Sequence, residues 1–425
     1  MKSSWVQPQV ALEGIFRQLA PVFLALATVS AATAQEALRY SLSGQDMAEA
    51  RKRQLENEKF SVNWGPVGLR FTANLGIDAT DNVKYTENNP QSDLIFRPQV
   101  TAFSRWRVSE QNTLTVSMGL GYAKYINTTE YDSFEITPNT AVSFDIYAGE
   151  FLINLHDRFN YSDDVSSSPT VSGTGSIPHY ENTVGIRAIW DMNPFIIASY
   201  DHQNYISTDR RYDYLTHSSE LFTTDVGLQW RPEVSFGVEL AGGLMDYTQP
   251  LSQDNQHVSV GAFVKAQMSD YTSFRISGGY VAYFVDTLGF TNATSNFNAV
   301  YVDASLSQRL GKLLSHTLGI SRSLQSELGN QLGTQLVEMW RFYHSASWNI
   351  IRNTGVSTSL SYEHGTESGF FGETFDRYGA GITFSRQLTK TLTGSAGYQF
   401  YLKNSDRNGS SYMNNRLVLN LSYAF

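Results

Sequence analysis

The side chains able to act chemically in this sequence are not grouped as a catalytic site would group them. The 425 residues contain no Cys, which excludes thiol catalysis, Cys-ligated zinc and disulfides. The 8 His are scattered without an H-x-x-x-H spacing, so no pair is set to share a metal on one helix face. No G-x-S-x-G marks a nucleophile elbow. What remains is charge at every second position of extended stretches. Arg70, Arg97, Arg105, Arg107, Arg158, Arg187, Lys265, Arg275, Arg341 and Arg377 fall there, with Asp78, Asp145, Asp225, Glu239, Asp303 and Glu363. Residues two apart on a strand share a face. A face of guanidinium and carboxylate groups can hold or screen ionic solutes, or brace itself through salt bridges; it offers no reaction. No enzyme, cofactor or metal is expected.

The elements that carry those charges are strands. In 67–79, Val67, Leu69, Phe71, Ala73, Leu75, Ile77 and Ala79 alternate with Gly68, Arg70, Thr72, Asn74, Gly76 and Asp78. This run is longer than the usual soluble strand of about 5 to 6 residues and suits a tilted membrane-spanning strand of about 9 to 11 residues plus extensions. Similar stretches follow at about 94–107, 113–125, 134–147, 151–161, 182–191, 195–206, 219–230, 234–247, 257–268, 272–284, 297–309, 314–325, 334–350, 355–364, 374–388, 391–403 and 412–425. With the first that makes about 18, and a count of 16 also fits. Short connections alternate with long polar ones, the asymmetry of outer-membrane barrels. The fold expected is therefore all-β, a transmembrane antiparallel up-and-down barrel over 65–425. With the N-terminus in the periplasm, the long loops are extracellular.

Aromatic residues give a second line of evidence. Trp106, Trp190, Trp230 and Trp348 each precede a short turn on the apolar face of their strand, and Trp64 precedes the first strand on the same side. Tyr122, Tyr200, Tyr280, Phe284, Tyr362, Tyr398 and Phe400 hold the apolar parity near the opposite strand ends. Two rings of amphipathic side chains are a bilayer girdle. The final strand ends Leu417, Leu419, Leu421, Tyr423, Phe425 on one face, resembling the closing strand that barrel assembly machinery reads, with Tyr423 and Phe425 as the signal. Four residues break the pattern: Asp157, His316, Arg322 and Glu338 occupy outward positions, which bulges or shifted boundaries would explain.

Composition agrees. Aromatics are 13%, with 24 Tyr and 25 Phe against 11 Pro, a balance that favours strands. Mean hydropathy is -0.28, too low for a helical membrane protein. The formal charge of -9 argues against nucleic-acid binding. Residues 1–34 read as a signal peptide, with Lys2 and Arg17 before the apolar run Ala20–Val29 and a small-x-small site at Ala32-Thr33-Ala34. The segment 35–64 reads as a periplasmic N-terminal stretch with a short helix near 45–58, capped by Ser43 or Asp46. The longest loop, 162–180, is expected to lie on the surface, with an inward constriction as the alternative.

The stretch Gly76-Ile77-Asp78-Ala79-Thr80-Asp81-Asn82-Val83, then Asp93-Leu94-Ile95-Phe96-Arg97-Pro98, resembles the β-barrel porin 2 family of outer-membrane β-barrel porins, as does the entry Phe60-Ser61-Val62-Asn63-Trp64-Gly65-Pro66-Val67. That resemblance implies an outer-membrane pore in a Gram-negative bacterium, associated with capsule or exopolysaccharide export and with periplasmic export partners. It supplies no catalytic residues. The function expected is a pore for polar or anionic solutes, in its most concrete form a polysaccharide conduit. The alternative is a non-conducting structural or adhesion barrel whose loops carry the function. Ion pairing of Arg105 and Arg107 with lumen carboxylates would favour that alternative.

Overall fold

The computed structural model describes residues 60–425 except 164–168, 171, 174–175, 250–253, 287–295, 312, 328–334, 352 and 369–371. The expected signal peptide and nearly all of the N-terminal segment, with its helix, lie outside the described residues. Eighteen strands form the barrel. They are β1 Val67–Thr80, β2 Asp93–Arg107, β3 Thr113–Tyr125, β4 in two pieces, Ser133–Ile136 and Ala141–Ala148, β5 Phe151–Ser162 and β6 His179–Trp190. There follow β7 Phe195–Ser207, β8 His217–Arg231, β9 Val234–Tyr247, β10 Asn255–Ser269, β11 Thr272–Val285 and β12 Asn296–Leu310. The last six are β13 Leu314–Glu327, β14 Gln335–Ile351, β15 Thr354–Glu367, β16 Thr374–Gln387, β17 Leu392–Ser405 and β18 Tyr412–Ala424.

Each strand pairs antiparallel with the next, and β18 closes on β1 from Thr72↔Ala424 to Thr80↔Arg416. Closure is what lets strands cross a bilayer, because it leaves no strand of the sheet without a neighbour on either side. The alternation sets the two faces. On β10, Val258, Val260 and Val264 are exposed on the outer face, whereas Ser259 and Phe263 are buried inside. The outer face is the apolar one, as lipid requires.

Two departures from the expected strands have a local cause. The stretch read as one strand over 134–147 is interrupted at Pro138, which has no N–H to give. The backbone turns there, with Thr140 N bonded to Thr137 O at 2.9 Å, and Gly119 N is satisfied by the Thr140 hydroxyl at 3.1 Å. Bulges do not account for the outward polar residues of β13 and β14. The register between these strands runs unbroken from Leu314↔Trp348 to Glu327↔Gln335. Arg322 and Glu338 do face outward, and they pair with each other (Nη2–Oε1 2.7 Å). Asp157 likewise accepts from Asn182 Nδ2 on the outer face at 2.7 Å, and the His316 ring lies 5.6 Å from that of His344.

At the short-turn end a three-residue strand, Val62–Trp64, completes the seam. It pairs with β1 at Val67–Leu69, below the point where β18 stops. The junction is tied by Ser61 N to Leu69 O at 2.8 Å, by Phe425 N to Phe71 O at 3.0 Å, and by the Ser61 hydroxyl on the Phe425 carbonyl.

Candidate functional site in the barrel lumen

Alternation delivers the charged residues to the inner wall, and the pairing of adjacent strands sorts them into clusters. On β14–β16 one carboxylate serves two arginines. Glu363 accepts from Arg341 Nε at 2.7 Å and from Arg377 Nε at 2.6 Å, and its side chain is only 4% exposed. The register makes this compulsory, since Arg341, Glu363 and Arg377 are directly opposite one another on consecutive strands. Across the seam, Asp78 of β1 receives Arg97 Nε at 3.0 Å and the guanidinium of Arg416 on β18, while Arg97 Nη1 reaches Glu135 of β4 at 2.8 Å. This second cluster balances two arginines with two carboxylates. The first leaves a net positive charge. Between them, Lys403 of β17 is fully buried against Glu373, with its ammonium 4.7 Å from the centre of the Phe375 ring. Such charge-assisted bonds are strong and orient their partners.

A different arrangement occupies β8–β12. Asp225 and Glu239 are register partners, and the same row continues through Gly261 and Gly279 to Tyr301. The two glycines leave a shallow channel along which the Tyr301 side chain lies, so its hydroxyl donates to Glu239 Oε1 at 2.6 Å across two intervening strands. A Cβ on Gly261 would stand 1.9 Å from that hydroxyl, and one on Gly279 would stand 2.8 Å from the ring. Arg187, Lys265 and Arg275 supply positive charge near Asp225, and Asp303 lies near Glu239.

The remaining candidates are distributed along the wall. Arg105 lies over the Phe60 ring at 4.5 Å and Arg70 over Phe103 at 5.2 Å, while Phe60 stacks on Phe103 at 6.3 Å. These are cation–π contacts at the short-turn end. Arg107 is exposed at the end of β2. Arg158 is half-buried on the inner face of β5. Asp145 accepts from Asn154. Trp106, Trp230 and Trp348 are exposed on the outer face near the short turns, and Trp190 stacks on exposed Phe151 at 5.8 Å. Tyr423 and Phe425 are exposed on the outer face of β18, 4.9 Å apart in an edge contact.

The long-loop end is not open in the way a surface loop would leave it. The segment after β5 was expected outside, but its described residues fold across the mouth. Ser172 accepts from Lys403 Nζ at 3.0 Å, Gly173 N bonds to Tyr85 O at 3.0 Å, and Thr170 is buried. Ile177 packs with Tyr205 and Leu215. A short 3-10 helix, Arg210–Leu215, is capped by Asp209, which accepts from Arg211 N at 2.9 Å. The Arg211 side chain holds the Asp209 carboxyl below its ordinary range. Gly409 N bonds to Glu87 at 2.7 Å, and Tyr85 meets Tyr412 edge-on. Loops from β1–β2, β5–β6 and β17–β18 therefore brace one another over the lumen.

Glu135, Lys403, Arg416, Glu373 and Tyr301 were not among the residues singled out from sequence. Glu135, Lys403 and Arg416 carry the same alternation signal as the others. Glu373 and Ser172 lie outside strands and carry none. Among the described residues no group of three or more His, Asp or Glu is placed to hold a metal.

No protein-family model matches the chain, and no curated protein matches it. Solved structures with a similar course of the chain are outer-membrane proteins. OpdK of Pseudomonas aeruginosa, crystallised with vanillate, is 10% identical over 84% of this chain and 99% of its own, with a TM-score of 0.48. OccAB4 of Acinetobacter baumannii is 10% identical over 85% and 99%, with a TM-score of 0.48. OccK2 (OpdF) of Pseudomonas aeruginosa is 10% identical over 84% and 98%, with a TM-score of 0.47. At this identity and overlap they bear on neither the substrate nor the gating of the present barrel.

Proposed function

We propose that this chain is an outer-membrane channel for small polar solutes and that its β14–β16 wall favours anionic ones. The observation that carries this reading is Glu363, shared by two arginines, so that this trio sums to a positive charge on the inner wall. A solute carboxylate can displace part of that pairing and be released again, because conduction needs sites that are favourable but shallow. Barrels of 16 to 18 strands have room for an aqueous path.

Export of a polymer, implied by the family resemblance, fits less well. The braced segment around Ser172 would have to leave the mouth before a chain could thread it. The non-conducting alternative draws on the same pairing, since arginines satisfied by carboxylates stiffen a wall. Planar-bilayer recording of the refolded protein decides between them. Stable conductance, with a reversal potential in a salt gradient that favours anions and with block by small dicarboxylates, is expected. A folded protein that conducts nothing, or that favours cations, would overturn the proposal.

A further inference from the structure

The wall is not equally continuous at every seam. Between β13 and β14 the ladder reaches Glu327↔Gln335, and between β11 and β12 it reaches Phe284↔Asn296. Between β12 and β13, among the described residues, it stops at Val302↔Arg322, although β12 continues to Asn296 and β13 to Glu327. The stop lies at the height of the aromatic ring of the long-loop end, because Val300 is directly opposite Tyr280. Exposed strand edges are not tolerated in lipid unless something satisfies them. Here a side chain satisfies one of the freed groups. Arg322 Nη1 donates to the Val300 carbonyl at 3.0 Å, across the seam, while Nε and Nη2 bond Glu338 at 3.0 and 2.7 Å. The guanidinium lies 5.6 Å from the centre of the Trp340 ring.

The inner side of the same seam is apolar, in a lumen that is otherwise mostly polar. Leu324 and Leu336 follow the outward alternation of Arg322 and Glu338, yet both are buried. They pack with Val281, Tyr283, Ala299 and Tyr301 of the inner wall. The upper end of the β13–β14 hairpin therefore overlaps β11–β12 from inside and does not abut it edge to edge. A seam without a backbone ladder, apolar within and faced by a lipid-side guanidinium, has the features of an amphiphile site.

We propose that the β12–β13 seam is a lateral binding site for a single-chain anionic amphiphile dissolved in the adjoining leaflet. Its head takes the place of Glu338 on Arg322, and its alkyl chain enters between the hairpin and the inner wall, against Ala299, Leu324 and Leu336. This site is separate from the aqueous path and takes a different class of ligand.

The test uses the full chain refolded into vesicles, with 11-(dansylamino)undecanoate as the probe. Saturable fluorescence enhancement above that of protein-free vesicles is expected. Arg322→Gln combined with Glu338→Gln removes the head contact and keeps the surface neutral. Ala299→Trp crowds the apolar contact that the chain would have to enter, and Leu324→Ala is a second, milder change there. The Arg322/Glu338 pair and Ala299→Trp should each weaken binding about tenfold, with ion conductance unchanged. A neutral dansyl alkyl alcohol should bind weakly to the wild type and be indifferent to the Arg322 change. Absence of saturable binding, wild-type affinity in every correctly folded variant, or equal affinity for the neutral probe would overturn the proposal.

Discussion

The two most charged parts of the lumen wall solve opposite problems. On β14–β16 a single carboxylate is shared by two arginines. On β8–β9 two carboxylates stand directly opposite each other, and Glu239 accepts from a tyrosine hydroxyl delivered over two glycines. The first wall gathers two cations on one carboxylate; the second sets two carboxylates face to face among the cations of neighbouring strands. Glu363→Ala should have the largest effect, because it leaves two buried guanidiniums without their acceptor. A loss of about 3 kcal/mol is expected in urea unfolding from vesicles, with the reversal potential moving further toward anions. Gly261→Ala should follow at about 2 kcal/mol, since the new methyl must push Tyr301 out of its channel; circular dichroism of the aromatic bands would register the moved ring. Tyr301→Phe keeps the ring and removes only the bond to Glu239, for about 1.5 kcal/mol. Ser172→Ala should cost about 1 kcal/mol or less, and it should appear mainly as noisier single-channel current as the mouth segment loosens. Asp225→Asn is expected to leave stability unchanged or slightly improved, while still shifting selectivity toward anions. A substantial loss of stability in Asp225→Asn would show that the two walls are built alike after all.

Much of this was legible in the residue order, and the reason is geometric. A period of two assigns a side to every residue of a strand, so the approximate strand number and the inner positions of Arg97, Arg341 and Arg377 follow from alternation, while the closed architecture follows from the short and long connections and the two aromatic rings. Which inner residues meet depends on the stagger between strands, and single strands do not encode it. That is why Glu363, Arg341 and Arg377 are all legible as lumen residues while their pairing with one another is not. The inward course of the segment around Ser172 was hidden for a related reason. Its anchor, Lys403, lies on β17, 231 residues away, and a loop rich in Ser and Gly carries no periodic signal. The channel under Tyr301 needed Gly261 and Gly279 to align, which only the register reveals. Outward Arg322 and Glu338 broke the pattern for a physical reason visible only in three dimensions: each is the other's partner.

The seam where the first and last barrel strands meet bears on how the barrel can form. Among the described residues every other barrel ladder joins strands consecutive in sequence, so each can form soon after its hairpin. The bond from Arg416 to Asp78 joins residues 338 apart, and bringing such distant points together costs about 5 kcal/mol of chain entropy. That cost falls on one late event, after which the strand Val62–Trp64 and the terminal Phe425 settle together below the junction. Closing the ring is therefore expected to be the slowest step in forming this barrel, and the curled but unclosed sheet to be the species that accumulates before it.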